Sequence, residues 1–122
     1  INGCHAALPY LKQARSARVI NLSSASAIYG QADLVSYSAS KFALHALAEA
    51  LRNEEREQGV RVATVYPGPT DTPMNRPQHG DDPLTRSSPH SIASAVRIIV
   101  DTSEDSQVTE VVVRPRHDPA AR

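Results

Sequence analysis

Three short runs rich in β-branched residues constrain this chain more than anything else in it. They are Arg18-Val19-Ile20-Asn21-Leu22-Ser23, Val60-Arg61-Val62-Ala63-Thr64-Val65-Tyr66 and Val108-Thr109-Glu110-Val111-Val112-Val113. Each is too short and too continuously apolar for an amphipathic helix, and each reads as a strand covered on both faces. The segments between them carry helical period. Residues 1 to 14 space Ala6, Ala7, Tyr10, Leu11 and Ala14 as one face, and Pro9 within that pattern predicts a kink or irregular turn. Residues 37 to 57 carry an apolar stripe of Ala39, Phe42, Ala43, Ala46, Leu47, Ala50 and Leu51, with Gly59 as terminator. Ser88-Pro89 reads as an N-cap and first helical position, followed by a face of Ile92, Ala95, Val96 and Ile99. Strands alternating with helices in this way imply a parallel sheet in an α/β fold, three strands alternating with three helices.

At 122 residues the chain is one small domain. Thirteen basic residues balance thirteen acidic ones. That balance argues against electrostatic capture of nucleic acid or an anionic membrane surface. No apolar run reaches the length of a membrane span, and no signal peptide is visible. The lone cysteine, Cys4, reads as a small buried apolar residue. These features fit a cytoplasmic protein. His5 and His45 read as surface or packing residues, and no metal site is expected. The chain opens at Ile1 inside a helical pattern with no cap, which reads as a piece of something longer.

Residues 67–88 are polar, irregular and rich in proline, the pattern of a substrate-lid-like loop. Residues 114–122 are charged and carry two prolines, and are expected to fray, with 116–122 as a flexible tail. In a parallel α/β sheet, function gathers beyond the carboxyl ends of the strands. Three unusual features fall there. Ser23-Ser24 ends the first strand, Tyr37 and Lys41 open the next helix, and Pro67-Gly68-Pro69-Thr70-Asp71-Thr72 ends the second strand. Tyr37 and Lys41 are one helical turn apart on one face, and an ammonium beside a phenol favours the phenolate. A hydroxyl, a phenol, a cation and a Gly/Pro loop therefore converge on one edge. Ser23 is expected to face the other way, and Asp71 to cap a short helix.

Ile20-Asn21-Leu22-Ser23-Ser24, Tyr37-Ser38-Ala39-Ser40-Lys41 and Tyr66-Pro67-Gly68 with Thr72 together resemble the carboxyl-terminal half of a short-chain dehydrogenase/reductase. Ser24 and Tyr37 are thirteen apart, the spacing of that family's catalytic Ser and Tyr. The resemblance implies a partial Rossmann-like domain spanning residues 1–122. It implies that Tyr37 exchanges the proton in carbonyl reduction or alcohol oxidation, and that Lys41 steadies the phenolate and holds the nicotinamide ribose. Ser24 would hydrogen-bond the substrate oxygen, and Pro67, Gly68 and Thr72 would line the nicotinamide end of an NAD or NADP cofactor. It also implies a small alcohol or ketone substrate, and a homo-oligomer packed through residues 1–14 and 37–57.

The sequence lacks part of the family pattern. No G-x-G-x-x-G or G-x-x-x-G-x-G occurs, so no turn here brings a pyrophosphate to a helix N-terminus. Asn2 lies too near Pro9 to be the family's catalytic Asn. The 122 residues are therefore expected to be inactive alone. The competing expectation is a non-catalytic relative that serves as an association module or an inactive remnant.

Overall fold

The computed structural model describes residues 2–75 and 82–118. Three helices and three strands alternate: α1 (Asn2–Leu11), β1 (Ala17–Leu22), α2 (Val35–Glu54), β2 (Val60–Pro67), α3 (Pro89–Asp101) and β3 (Glu110–Val113). The strands form one parallel sheet in the order β1-β2-β3, with Ala17 opposite Val60 and Thr64 opposite Glu110. This is the expected α/β, Rossmann-like arrangement.

Successive residues of β2 face opposite sides, so the strand divides the core in two. Val62 packs with Ala48 and Leu51 of α2, with Cys4 and Leu8 of α1 and Val19 of β1 alongside. Ala63 and Val65 pack instead against Ile92, Ala95 and Ile99 of α3. The helices thus cover both faces, and β2 holds the four largest fully buried side chains, Tyr66, Val62, Val65 and Thr64. Fully burying a valine contributes about 1.5–3 kcal/mol relative to leaving it exposed, so β2 anchors both layers.

Several local expectations shift. No break appears at Pro9, which lies inside α1. The missing N–H leaves the His5 carbonyl without a helical donor, but His5 and Pro9 are exposed, so water can serve it. Helix α2 starts two residues earlier than expected, at Val35, and ends at Glu54. A 3-10 turn, Arg56–Gln58, follows and closes on Gly59 at φ 71°, a left-handed position suited to glycine. Strand β3 starts at Glu110 rather than Val108 because β2 has no free acceptor opposite an earlier start. The Val62 carbonyl is taken by the side chains of Arg52 (3.0 Å) and Gln107 (2.9 Å).

Of the apolar stripe of α2 only Leu51 is buried against the sheet. Ser38, Ala48 and Leu51 are the buried residues of the helix. Ala39, Phe42, Ala43, Ala46 and Ala50 are exposed. Polar side chains share the inner face: His45 and Arg52 reach over β2, where buried acceptors satisfy them.

The amino-terminal edge of the sheet is closed by two arginines in register across β1 and β2. Arg18 donates to the Ser16 hydroxyl (3.0 Å) and the Thr102 carbonyl (2.8 Å). Arg61 donates to the Ser103 carbonyl (2.9 Å) and the Ser16 hydroxyl (2.8 Å). The void between them is about 10 Å³. No described helix is long and apolar enough to cross a membrane.

Candidate active site

The opposite, carboxyl-terminal edge is open. A cleft of about 560 Å³ lies there between the loop after β1, the start of α2 and the loop after β2. Its walls include Ser24, Tyr37, Pro67, Gly68 and Thr72. Five of the six residues singled out in the sequence therefore meet in one place. Lys41 stands outside the walls, with its Nζ 5.5 Å from the centre of the Tyr37 ring.

Each position follows from local structure. Ser24 ends the run of β1, where Ser23 N still donates to the Val65 carbonyl (2.9 Å). The Ser24 backbone is extended, and its Oγ caps the 3-10 turn Ala25–Ala27 by accepting from Ser26 N at 3.2 Å. With that lone pair engaged, the hydroxyl hydrogen is left to donate elsewhere. Tyr37 sits in the first turn of α2 and is 43% exposed. No hydrogen bond to its hydroxyl occurs among the described residues. Its carbonyl accepts from Ser40 Oγ at 2.7 Å.

The β2 side of the cleft is fixed by its backbone. Gly68 N donates to the Val113 carbonyl at 2.8 Å. A Cβ at Gly68 would lie 3.2 Å from Pro115 Cδ and 3.4 Å from the Val113 oxygen, so the glycine permits a close chain crossing. Thr70 Oγ1 donates back to the Gly68 carbonyl (2.9 Å), and Asn75 N donates to the Thr72 carbonyl (2.9 Å). Asp71 bonds through its backbone N–H to the Ser87 carbonyl (2.9 Å). The carboxylate cap in this loop is Asp82, which accepts from Leu84 N at 2.8 Å. The expected lid therefore has two limbs joined by the Thr70–Ser87 bridge; its residues 76–81 lie outside the described residues.

Sequence reasoning missed much of the wall. Gln31 and Leu34 line the cleft, and their signal lies in loop conformation; Met74 and Asn75, from the expected lid-like loop, line it too. Ser23, expected to point away, is on the wall too, but its Oγ is buried without a partner. Residues 114–118, where fraying and a flexible tail are expected, make contacts with the rest of the chain. Pro115 is buried, and the Arg114 guanidinium lies 4.6 Å from the centre of the Tyr29 ring. His117 bonds residues 82 and 84. Contacts to three loops hold this segment through Asp118, against its polar composition; 119–122 lie outside the described residues.

A second polar cluster lies under α2. His45 Nδ1 is 2.6 Å from the Tyr66 hydroxyl, which lies 3.2 Å from Glu110 Oε1. Burial pushes the Tyr66 phenol above its ordinary range, and the Glu110 carboxylate adds to the rise. Burial likewise raises Tyr29, opposed by the Arg114 guanidinium. Neither phenol lines the cleft. Among the described residues no group of three His, Cys, Asp or Glu is placed to hold a metal ion.

Known proteins share this sequence and fold. Residues 1–83 match the short chain dehydrogenase family model, and the chain belongs to that family. An uncharacterized oxidoreductase of Staphylococcus epidermidis is 36% identical over 112 residues, covering 90% of this chain and 47% of the relative. One from Staphylococcus aureus is 32% identical over 110 residues with the same coverage. The chain thus spans about half the length of the curated relatives it matches. A metagenomic short-chain oxidoreductase solved in complex with NADP is 29% identical, with a TM-score of 0.71 over 92% of this chain and 44% of that one. An acetoin dehydrogenase from Salmonella typhimurium is 28% identical, with a TM-score of 0.72 over 88% of this chain and 47% of that one.

Proposed function

We propose that these residues form the proton-transfer half of an NAD(P)-dependent, cytoplasmic oxidoreductase that interconverts a small alcohol and its ketone. One observation carries the reading: Ser24 and Tyr37, from two different elements, line one cleft together with the Pro67-Gly68 turn and Thr72. The solved relative with NADP supports the cofactor class.

The cleft suits the nicotinamide end of such a cofactor. Its volume falls within the range of about 300–1,000 Å³ of small-molecule sites. Its wall combines Pro67, Leu34 and Met74 with hydroxyl donors. When bound, the cofactor supplies or accepts the hydride. Tyr37 OH gives its proton to the substrate oxygen in reduction and takes it back in oxidation. Ser24 donates to the same oxygen, which strengthens as negative charge develops there. The Lys41 ammonium, 5.5 Å from the Tyr37 ring, stabilises the phenolate left behind. Lys41 would also hold the nicotinamide ribose. Pro67, Gly68 and Thr72 would line the nicotinamide end of the cofactor.

No Gly-rich turn is present to cradle the pyrophosphate. That part of the site comes from polypeptide outside these 122 residues, in the same chain or another. Titrating the 122 residues with NADH or NADPH is therefore expected to show no saturable binding. With the Gly-rich segment supplied, a panel of small ketones is expected to consume reduced nicotinamide, and Tyr37→Phe to lower turnover about 10²–10⁴-fold. Turnover retained by that variant removes Tyr37 from the mechanism.

A second observation favours association as well. The exposed stripe of α2 and a groove of about 580 Å³ between α1 and α2, lined by Leu8, Leu47 and Leu51, suit packing against a second copy. The same surfaces would serve the non-catalytic alternative, an association module. Measurable turnover in the assembled protein excludes that alternative.

A further inference from the structure

The proposed chemistry makes no use of the segment that leaves β3, yet residues 113–118 touch every loop that shapes the cleft. The Val113 carbonyl accepts from Gly68 N, and Pro115 closes over the α-carbon of Gly68. Arg114 lies over the ring of Tyr29, in the loop that Ser24 opens. His117 holds the far limb twice. Its N–H donates to the Leu84 carbonyl (2.9 Å), and its Nδ1 is 2.8 Å from Asp82 Oδ2. An ionised carboxylate only accepts, so Nδ1 carries the hydrogen of that bond. The other Asp82 oxygen accepts from Leu84 N (2.8 Å), so one carboxylate ties His117 to the turn it caps. From there the limb returns to the cleft wall: Ser87 N donates to the Pro69 carbonyl, and Asp71 N to the Ser87 carbonyl, both at 2.9 Å.

We propose that residues 113–118 are a strap that sets the geometry of the cleft loops, and that His117 is its positioning residue. His117 touches no cleft wall. It acts through Asp82 and Leu84 on Ser87, and through Ser87 on residues 69–71. Only the kinetic consequence rests on reading the cleft as a nicotinamide and substrate site; the mechanical claim stands without it. The side chains of His117 and Asp82 are 55% and 46% exposed, so the effect is modest in size.

Amide hydrogen exchange in the full chain tests the strap without catalysis. His117→Ala is expected to speed exchange at Leu84 and Ser87 by about two- to fivefold, the range of an exposed ion pair, while Val62 and Val65 stay protected. His117→Asn keeps an N–H donor near the position of Nδ1 and is expected to restore protection. Unchanged exchange at Leu84 and Ser87 in His117→Ala overturns the proposal, and so does a rise that extends to Val62 and Val65. In the assembled enzyme the same variant is expected to raise KM for a ketone by a similar factor with kcat held within about twofold. A fall in kcat at constant KM overturns the positioning role. If no variant and no wild type turns over, the reading of the cleft has failed, and the exchange result alone decides the strap.

Discussion

At the amino-terminal edge of the sheet Arg18 and Arg61 spend their hydrogens on the chain itself, on Ser16 and on the carbonyls that follow α3. At the carboxyl-terminal edge Ser24 and Tyr37 border about 560 Å³ of open cleft, and the Tyr37 hydroxyl has no described partner. Both edges are lined with polar groups. What separates them is satisfaction. Internal bonds at the first edge fix the ends of strands and helix, and leave about 10 Å³. Hydrogen-bonding capacity left open at the second is available to a ligand. A polar cluster therefore reads as functional when its geometry leaves it incomplete, whatever its composition.

The sharpest way to break this comparison is to alter each edge and exchange the readouts. Tyr37→Phe has the largest expected effect, the two to four orders of magnitude in turnover given above, with the melting temperature unchanged, since an exposed hydroxyl without partners is all that is lost. A variant that melts earlier would make Tyr37 structural and erase the distinction. Arg61→Met works the other way. It leaves the Ser103 carbonyl and the Ser16 hydroxyl without that donor, and is expected to cost about 0.5–1.5 kcal/mol in denaturant unfolding while turnover per folded molecule holds. Lost turnover at unchanged stability would place function at the wrong edge. Gly68→Ala lies between the two. Its Cβ meets Pro115 Cδ at 3.2 Å and the Val113 oxygen at 3.4 Å, so about 1 kcal/mol of strain is expected, with a higher KM as the turn shifts.

The smallest effect is on pH. The Leu84 N–H, and next the bond from His117, hold the Asp82 carboxyl below the usual carboxylate range. A folded-state value lowered in this way contributes order that is present above the unfolded value and lost as pH falls through the folded one. Exchange at Leu84, corrected for its intrinsic rate, is therefore expected to rise only in acid. A rise between neutral pH and the ordinary carboxylate range would show that Asp82 does not control the turn.

What could be read from sequence divides along the same line between local and long-range causes. The alternation of β-branched runs with helical period gave every element, because burial on both faces leaves a period that a few residues suffice to show. Ser24, Tyr37, Pro67, Gly68 and Thr72 were legible because a parallel strand delivers its carboxyl end to one edge whatever the loop does next. The inner face of α2 was misread. Arg52 looks wet in sequence, and only its bond to the Val62 carbonyl makes it an inner residue; His45, expected as a surface or packing residue, is placed by Tyr66. The strap was hidden for the same reason: Pro115 and His117 carry tail-like composition, and their fixed positions come from Gly68, Leu84 and Asp82. Leu34 reaches the cleft by a loop path with no period to read.

The bond between His45 and Tyr66 has a consequence at the far end of its helix. Each residue of a helix turns the next by about 100°, so slippage of α2 by one residue would swing Tyr37 away from the cleft. Apolar packing alone resists such rotation weakly, since the alanines of α2 offer similar surfaces on several sides. A 2.6 Å bond from His45 to a phenol fully buried in the central strand admits one rotational phase. Two turns away, the same phase aims the hydroxyl of Tyr37. The half-buried histidine works as an angular index mark for a shaft whose working tip it never meets.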